Sequence, residues 1–596
     1  MKLRIVAALA CVAAAARLIA LHFLHPFNRD ELEFHRATVW IGSGRLPFRD
    51  FWEHHTPLVW YLFAPFTRLT DSPGAGAILW MRWAQVLVWI ATFWLLNLWM
   101  RTLGVDRFAR WAAMTLALTS SLFMLPAMEY RVEAVGCALL MAGAVLVQRD
   151  RPFLAGVAWC LVGFANLRFG PLVVVFVLLL LATRDGKWAF NRRALWIIAG
   201  GFTTLAGCLL FFAVQGALDE LYAQVWIDNQ FEKYYIRDHM RFVHRLLVPF
   251  GIRLLATDRL FELAAVDLGG ALVLLLTVAG VVFALRRWRR PDGLFVLALL
   301  TIVNLLFLAR MKYVFNYHLI IGAILAVPLI AALFERVSRR GAIVALLAVT
   351  AAVNVFAALF RGKEMDLAYQ DVMMREVHAR TRPGEAVFSG VPWAFRREAP
   401  YRYWFLPELV GQIMRHGGGP PYAMQDVLAD PPALVVFDYN TWMWFAIMQP
   451  ELTPYFVRHY FPVWSELWVP GMNARLQPGA QFTWIVPRDG AYRAYVSAPL
   501  AGHPWFRDPL RTAAYKRDDA SRLTFRLPEP HAGPVTFDAD PARLRKGQRL
   551  TATNGSSEAV AVILLATDDR VLFRTPPPGV TLEGETTRVT HVPRLW

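Results

Sequence analysis

The chain has 596 residues, 57% of them hydrophobic, and a formal net charge of +17. That share of apolar residues exceeds what an ordinary soluble protein carries, and the basic residues fall largely in short loops between apolar runs, which excludes a nucleic-acid-binding protein and leaves membrane topology as the reason for the charge. The four cysteines, Cys11, Cys137, Cys160 and Cys208, all lie inside apolar runs, so neither a disulfide framework nor a thiolate metal site follows.

Apolar runs long enough to cross a bilayer recur up to about residue 360 and not beyond it. They predict eleven spans, at roughly 5–24, 77–100, 111–128, 134–148, 153–167, 170–183, 195–215, 266–285, 294–309, 317–334 and 342–360. Arg17 interrupts the first run, which is therefore read as a span and not as a cleaved signal peptide. The stretch 153–183 is read as two short helices meeting near Asn166-Leu167-Arg168. With that break, the loops 101–110, 149–152, 184–193, 286–293 and 335–341 share one side and hold three, two, four, four and three Lys/Arg residues. The positive-inside rule then puts the N-terminus in the cytoplasm and the C-terminal region outside. Arginine far outnumbers lysine and alanine is abundant, a skew that suggests a bacterium, so the outside is the periplasm and the membrane the inner one.

Two outer loops carry more than a connection needs. Loop 25–76 opens on Asn28-Arg29-Asp30-Glu31 and continues with Arg36, Arg45, Asp50, Trp52, Glu53, His54, His55 and Tyr61. Ionisable groups crowded at a membrane surface are costly and point to function. The middle of that loop, Thr56 to Leu69, is expected to lie in the interface as an amphipathic helix, and loop 216–265, with Tyr222, Trp226, Phe231 and Phe242 among charged residues, is similar. Beyond Arg361 the pattern changes. Ala386–Phe388 and Ala433–Phe437 read as buried strands, and Leu523–Leu527 and Val560–Leu565 as strands of a small β module. The expected organisation is a membrane domain over 1–360, a periplasmic α/β region over 361–500 and a β-rich module over 501–596.

An outward-facing acid pair beside a bilayer suits group transfer from a lipid-phosphate-linked donor. An acceptor hydroxyl needs a carboxylate to take its proton as it attacks, and a departing phosphate needs cations. Asp30 is the expected general base, with Glu31 and Glu133 as further catalytic acids. Arg131, Arg168, Arg310 and Lys312, at outer ends of spans, are the expected phosphate ligands. His54 and His55 are expected to position substrate. Adjacent histidines point apart on regular elements, so no metal site is assigned to His54 and His55. No cofactor follows firmly, and a divalent metal stays open.

The segments Arg29-Asp30-Glu31-Leu32-Glu33, Gly42-Ser43-Gly44-Arg45-Leu46-Pro47-Phe48-Arg49-Asp50 and Glu53-His54-His55-Thr56-Pro57-Leu58 together resemble the first outer loop of GT-C glycosyltransferases. The nearest likeness is to the bacterial branch related to protein O-mannosyltransferases and the lipid A aminoarabinose transferase. Phe48 stands where that family commonly has Tyr, His55-Thr56 where it has Lys-Pro, and Glu133 where it has Asp; Arg310 and Lys312 ahead of Tyr317-His318 resemble the family's basic-aromatic entry to the tenth span, which implies that Tyr317 and His318 position substrate. The resemblance covers roughly residues 1–360. It implies a polytopic α-helical membrane domain of GT-C type, of about eleven spans, followed by a soluble mixed α/β and all-β C-terminal region. It also implies a hexosyl or pentosyl transferase that takes its sugar from a polyprenyl-phosphate donor and passes it to a glycan, lipid or protein hydroxyl, inverting the anomeric centre, with membrane lipids as surroundings and no nucleic acid as partner. The competing reading is a polytopic transporter of an envelope lipid or sugar precursor, which would place its polar residues mid-span in two matching halves.

Overall fold

The structure is a computed structural model that describes most of residues 25–235, 268–310, 316–361, 367–438, 452–497 and 533–566, with scattered positions in the first 24 and at 441, 444, 524–526 and 571–573. The chain divides into two compact units. Met1–His25, Trp40–Asp71 and Ala77–Met365 form the first; Pro26–Val39, Ser72–Gly76 and Asp366–Trp596 form the second.

The first unit is helical. Gly76–Thr102, Arg193–Val214, Gly293–Arg310 and Tyr317–Phe334 are each long and apolar enough to cross a membrane, and Val132–Gln148, Pro152–Ala165, Leu167–Ala182, Leu272–Leu285 and Arg340–Ala352 are shorter apolar helices. Most of the predicted span 5–24 lies outside the described residues; Ile5, Leu9, Val12 and Ile19 are helical there and exposed. The span expected at 111–128 is shorter than read, a helix over Arg107–Thr119 that stops at Ser120.

Gly76–Thr102 shows why these helices suit lipid. Trp80, Trp83, Leu87, Ile90 and Trp94 recur at helical spacing and are exposed, whereas Ile78, Met81, Gln85, Trp89, Leu96 and Trp99 face inward. A helix apolar on its outer as well as its inner face is at home in hydrocarbon. Ile320–Phe334 is buried on nearly every side and forms the centre of the core. Pro152–Ala165 and Arg193–Val214 cross backbone to backbone: a Cβ on Gly156 would lie 1.9 Å from Ile197 O, and one on Gly200 2.0 Å from Phe153 O. Small residues permit such crossings where lipid supplies no hydrophobic drive. The break near Asn166 is present, since Pro152–Ala165 ends there and Gly170–Ala182 follows a short 3-10 turn.

In the outer loops, Leu58–Phe63 is helical and continues as a 3-10 turn over Ala64–Leu69. The later loop holds the helix Leu218–Tyr222, a π turn at Ala223–Ile227, a 3-10 turn at Asp228–Phe231 and the helix Glu232–Tyr235; Phe242 and the rest of 236–267 lie outside the described residues.

In the second unit, Val387–Ser389 and Leu434–Val436 pair in parallel, with helices Ala368–Ala379, Pro407–His416 and Ala423–Ala429 between or beside them in sequence. The long strand Leu467–Leu476 continues this sheet antiparallel to Leu434–Val436, and Val560–Leu565 and Arg493–Ser497 follow it in order. A three-stranded sheet joins Val535–Phe537, Arg549–Asn554 and Gln481–Ile485. Met472, Trp484, Tyr492, Val496, Leu550, Val562 and Leu564 pack together as a core shared by the two sheets. The boundary expected at residue 500 therefore runs through both sheets: strands after it supply hydrogen bonds to strands before it, and neither set could close a core alone.

The helix Arg29–Gly42 gives its first eleven residues, 29–39, to the second unit. They are tied there by local polar bonds. Gln370 exchanges two hydrogen bonds with the Phe27 backbone, at 2.7 and 3.0 Å, and Arg36 Nη2 donates to Arg397 O at 3.0 Å. Asp371 Oδ1 accepts from Ala75 N at 2.7 Å, which fixes the 72–76 piece to the same helix, Ala368–Ala379.

Candidate active site

The acid pair at the start of Arg29–Gly42 is two different residues physically. Asn28 caps the helix: its Oδ1 accepts from Asp30 N at 3.1 Å, and its own N–H donates to Glu31 Oε2, also at 3.1 Å. This reciprocal arrangement is a capping box, with the carboxylate at the third helical position reaching back to the cap. Glu31 is fully buried by it. The Asp30 carboxylate stays partly solvent-accessible, with Arg29 Nε 3.9 Å from its Oδ1, while Arg29 Nη1 donates to Glu408 Oε1 at 3.0 Å. Of the two expected catalytic acids here, Asp30 is partly exposed and Glu31 is not.

The first unit holds a second acidic cluster, at the start of Val132–Gln148. Arg131 is 2% exposed, donates from Nη1 to Glu129 Oε2 at 3.0 Å and from Nε to Glu133 Oε2 at 3.2 Å. Its guanidinium lies 3.5 Å from the centre of the Tyr317 ring. Gln85, buried in Gly76–Thr102, accepts from Arg131 N at 2.7 Å and donates to Glu129 O. Asn166 donates to Glu133 Oε1 at 3.3 Å and accepts from Arg168 N at 3.1 Å, so one amide holds an acid and caps the turn that carries a cation. Arg168 Nη1 donates to His318 Nε2; since a guanidinium has no acceptor, that ring nitrogen accepts and the ring hydrogen sits on Nδ1. Arg168 Nη2 is 3.5 Å from Glu232 Oε1. The structure thus brings Glu133, Arg131, Arg168, Tyr317 and His318 into one polar cluster inside an otherwise apolar unit. Arg310 is exposed at the end of Gly293–Arg310, and Lys312 lies outside the described residues.

The third group is Glu53-His54-His55, in a segment with no regular secondary structure. The expectation that adjacent histidines diverge holds for helices and strands and not here: the two rings sit with centroids 3.8 Å apart. Glu53 is fully buried. Its Oε1 accepts from His54 N at 2.9 Å, from His55 N at 3.2 Å and from His55 Nδ1 at 3.1 Å, with His54 Nδ1 at 3.4 Å. Burial opposes the charge, but the hydrogen bonds and charges of the two histidines outweigh it and hold the carboxyl below the usual range, ionised at neutral pH. His54 is pushed down by burial and by His55, against the pull of Glu53. Glu53 Oε2 is buried with no hydrogen-bond partner. The three residues present ligand atoms within 4.8 Å of one another. A carboxylate with an uncommitted oxygen beside two imidazoles is a donor set that fits a divalent ion such as Zn(II).

No protein-family model and no curated protein matches the chain. Solved structures do resemble it. Among them is ArnT from Cupriavidus metallidurans, the lipid A aminoarabinose transferase, in its apo state and bound to undecaprenyl phosphate, each with a TM-score of 0.48 and 14% identity over 74% of this chain and 94% of that one. Another is the Archaeoglobus fulgidus oligosaccharyltransferase tethered with an acceptor peptide, at a TM-score of 0.42 and 13% identity over 76% of this chain and 72% of that one. Likenesses of this size leave the roles of individual residues to the geometry.

Several residues that organise these groups gave no pattern in the sequence. Gln85, Asn166 and Gln224 are single amides, and a lone amide in an apolar helix or a loop breaks no periodicity. A signal did exist for Gln85 and Asn166: a polar residue within or at the end of an apolar span needs a partner. Glu129 is accounted for by its bond to Arg131.

Proposed function

We propose that this chain is an integral-membrane glycosyltransferase of GT-C type that moves a sugar from a polyprenyl-phosphate donor to an acceptor hydroxyl at the periplasmic face of a bacterial inner membrane. The single observation that carries this reading is the cluster of buried Glu129, Arg131, Glu133, Asn166 and His318 with half-buried Arg168. Charged groups inside an apolar helical unit are costly, and acids joined to an arginine–histidine pair combine the two chemistries that phosphate-linked transfer requires. The resemblance of loop 25–76 to the family supports it independently.

In this reading Asp30 takes the proton of the acceptor hydroxyl as its oxygen bonds to the anomeric carbon. The bond from that carbon to the phosphate oxygen breaks, and the phosphate leaves with the electron pair and no proton. Arg168 and the Nδ1–H of His318 are assigned to the phosphate. Arg131 is already neutralised by two carboxylates, so it is assigned to holding Glu133, and Glu133 with Tyr317 to the sugar. A single displacement inverts the anomeric configuration. A divalent ion held by Glu53, His54 and His55 would supply fixed positive charge. The topology assigned is multi-pass, of about eleven spans, with the N-terminus cytoplasmic and the C-terminal region periplasmic.

The test uses the purified full chain in detergent with a lipid extract from its native membranes. Release of polyprenyl phosphate, together with loss of one envelope glycan or glycolipid by mass spectrometry in a deletion strain, is the expected result. An unchanged envelope and no release would contradict the reading, and accumulation of a solute in vesicles holding this protein alone would favour a transporter.

A further inference from the structure

We propose that Gln224 is the positioning residue that holds Glu53-His54-His55 in its working arrangement. The inference rests on the reading above for its catalytic meaning, and on geometry within the first unit for everything else.

The segment from Pro47 to Thr56 has little ladder of its own, so its backbone groups and the buried indole N–H of Trp52 must find partners elsewhere. The short stretch 218–231 supplies them one after another. Trp52 Nε1 donates to Asp228 Oδ2 at 2.9 Å, Glu53 N donates to Gln224 Oε1 at 2.9 Å, and Asn229 Nδ2 donates to His54 O at 2.8 Å. Three consecutive residues of the loop are thus each fixed by a different side chain from one neighbouring segment. Asp228 is itself perturbed, its carboxyl raised by burial against the opposing bond from Trp52.

Gln224 is the centre of this arrangement. It is 3% exposed, and its amide is fully used: Nε2 donates to Phe48 O and to Glu220 Oε2, each at 2.8 Å, while Oε1 takes the Glu53 N–H. The Glu220 carboxylate can only accept, so it fixes which end of the amide is which. The residue sits in a π turn, an irregularity that tends to mark functional segments. Its second tie matters as much as the first. Phe48 is buried with φ +72°, a left-handed conformation that a bulky residue holds only when its surroundings over-determine it. Packing on Phe212 and the bond from Gln224 do so. The same amide therefore restrains a strained turn and the acid five residues later, and through Glu53 Oε1 it sets where both histidine backbones lie.

Gln224→Leu keeps the size and removes all three bonds; Gln224→Glu keeps the acceptor for Glu53 N–H and loses both donors. In the full-length protein in detergent, Gln224→Leu is expected to speed amide exchange in peptides covering 48–55 while leaving those covering 293–310 unchanged, and Gln224→Glu, which sets a carboxylate oxygen against Glu220 Oε2 and Phe48 O, to do so as well. Turnover, followed as polyprenyl phosphate released from a dilution series of native lipid extract, should fall about 10- to 100-fold in apparent kcat with apparent KM within about twofold. That kcat is taken per folded molecule, counted as the monodisperse fraction, so a role in folding alone would leave it at the parental value. Unchanged exchange over 48–55 overturns the inference, and so does parental kcat in Gln224→Leu where Glu53→Gln has lost it. Full turnover in Glu53→Gln instead sinks the reading of the site, and exchange then decides the positioning by itself. Should Gln224→Leu fail to fold, Gln224→Met keeps the length of the side chain, likewise removes its three bonds and carries the same exchange test, with an unchanged 48–55 pattern again the contrary result.

Discussion

Two acid-bearing stretches, Asn28–Glu31 and Glu129–Glu133, look alike in the sequence, each an acidic pair near an arginine at the start of a helix. Physically they are opposites. At the first, backbone satisfaction consumes one acid: Glu31 closes a capping box with Asn28, while Asp30 sits in the first helical turn with Arg29 Nε 3.9 Å from its carboxylate. At the second, side chains satisfy side chains: Arg131 is buried between Glu129 and Glu133, and amides from two other segments finish the network. The lesson is that an acid's neighbours in space, and whether they are backbone or charge, decide if it can exchange a proton or must stay ionised to hold a structure.

That contrast can be broken from the strong end first. Arg131→Met should destabilise the first unit by about 3–5 kcal/mol, because it leaves two buried carboxylates without their cation. Thermal denaturation of the detergent-purified protein checks it, and a parental Tm would mean that the network is dispensable.

The next effect belongs to the second unit and to pH. His35, on the same helix as Asp30, is held down to about 3 by burial and then by the charges of Arg396 and His378. His378 is held down to about 4, chiefly by burial, with Arg397, Arg396 and Arg36 adding to it against its bond to Met374 O. Both rings pack on Phe395, with centroids at 4.6 and 4.8 Å. Unfolded, they titrate near 6.5, so the unfolded chain binds more protons below that pH. Their contribution to stability is full above about 6.5 and is lost as pH falls toward about 3–4. Asp438 works the other way, raised to about 6 by burial, with its contribution lost as pH rises through that value. The readout is therefore a difference: replacing His35 and His378 by Phe should flatten the acid limb of Tm against pH relative to the parent. The smallest effect is at the cap, where Glu31→Ala should cost about 1 kcal/mol and speed amide exchange in the first turn, while Glu31→Gln keeps most of both.

Much of the helical unit was legible because lipid demands long apolar runs, and the break at Asn166 was legible because the loop charges required it. The β-rich region was less so. Leu467–Leu476 is buried on both faces and carries Pro470 and Gly471, so it shows neither alternation nor a clean apolar run, and its partner Val560–Leu565 lies some ninety residues away. A Cβ at Gly471 would lie 2.3 Å from Leu564 O, so the glycine that obscured the strand in the sequence is what allows the pairing. The site was half legible. Residue types singled out Asp30, Arg168 and His318, and the Asn28–Glu31 cap is a local Asn-x-x-Glu pattern, whereas the amides that hold Glu53 and Glu133 are tertiary facts. His54 and His55 were misjudged because the rule about adjacent side chains assumes a regular backbone.

The most direct measurement compares Asp30→Asn with Glu31→Gln in the polyprenyl-phosphate release assay. Turnover should fall about 10²- to 10⁴-fold in Asp30→Asn, with Tm unchanged, and stay within a few-fold of the parent in Glu31→Gln. Parental turnover in Asp30→Asn, with the loss appearing in Glu31→Gln, would contradict the assignment of Asp30 as the general base.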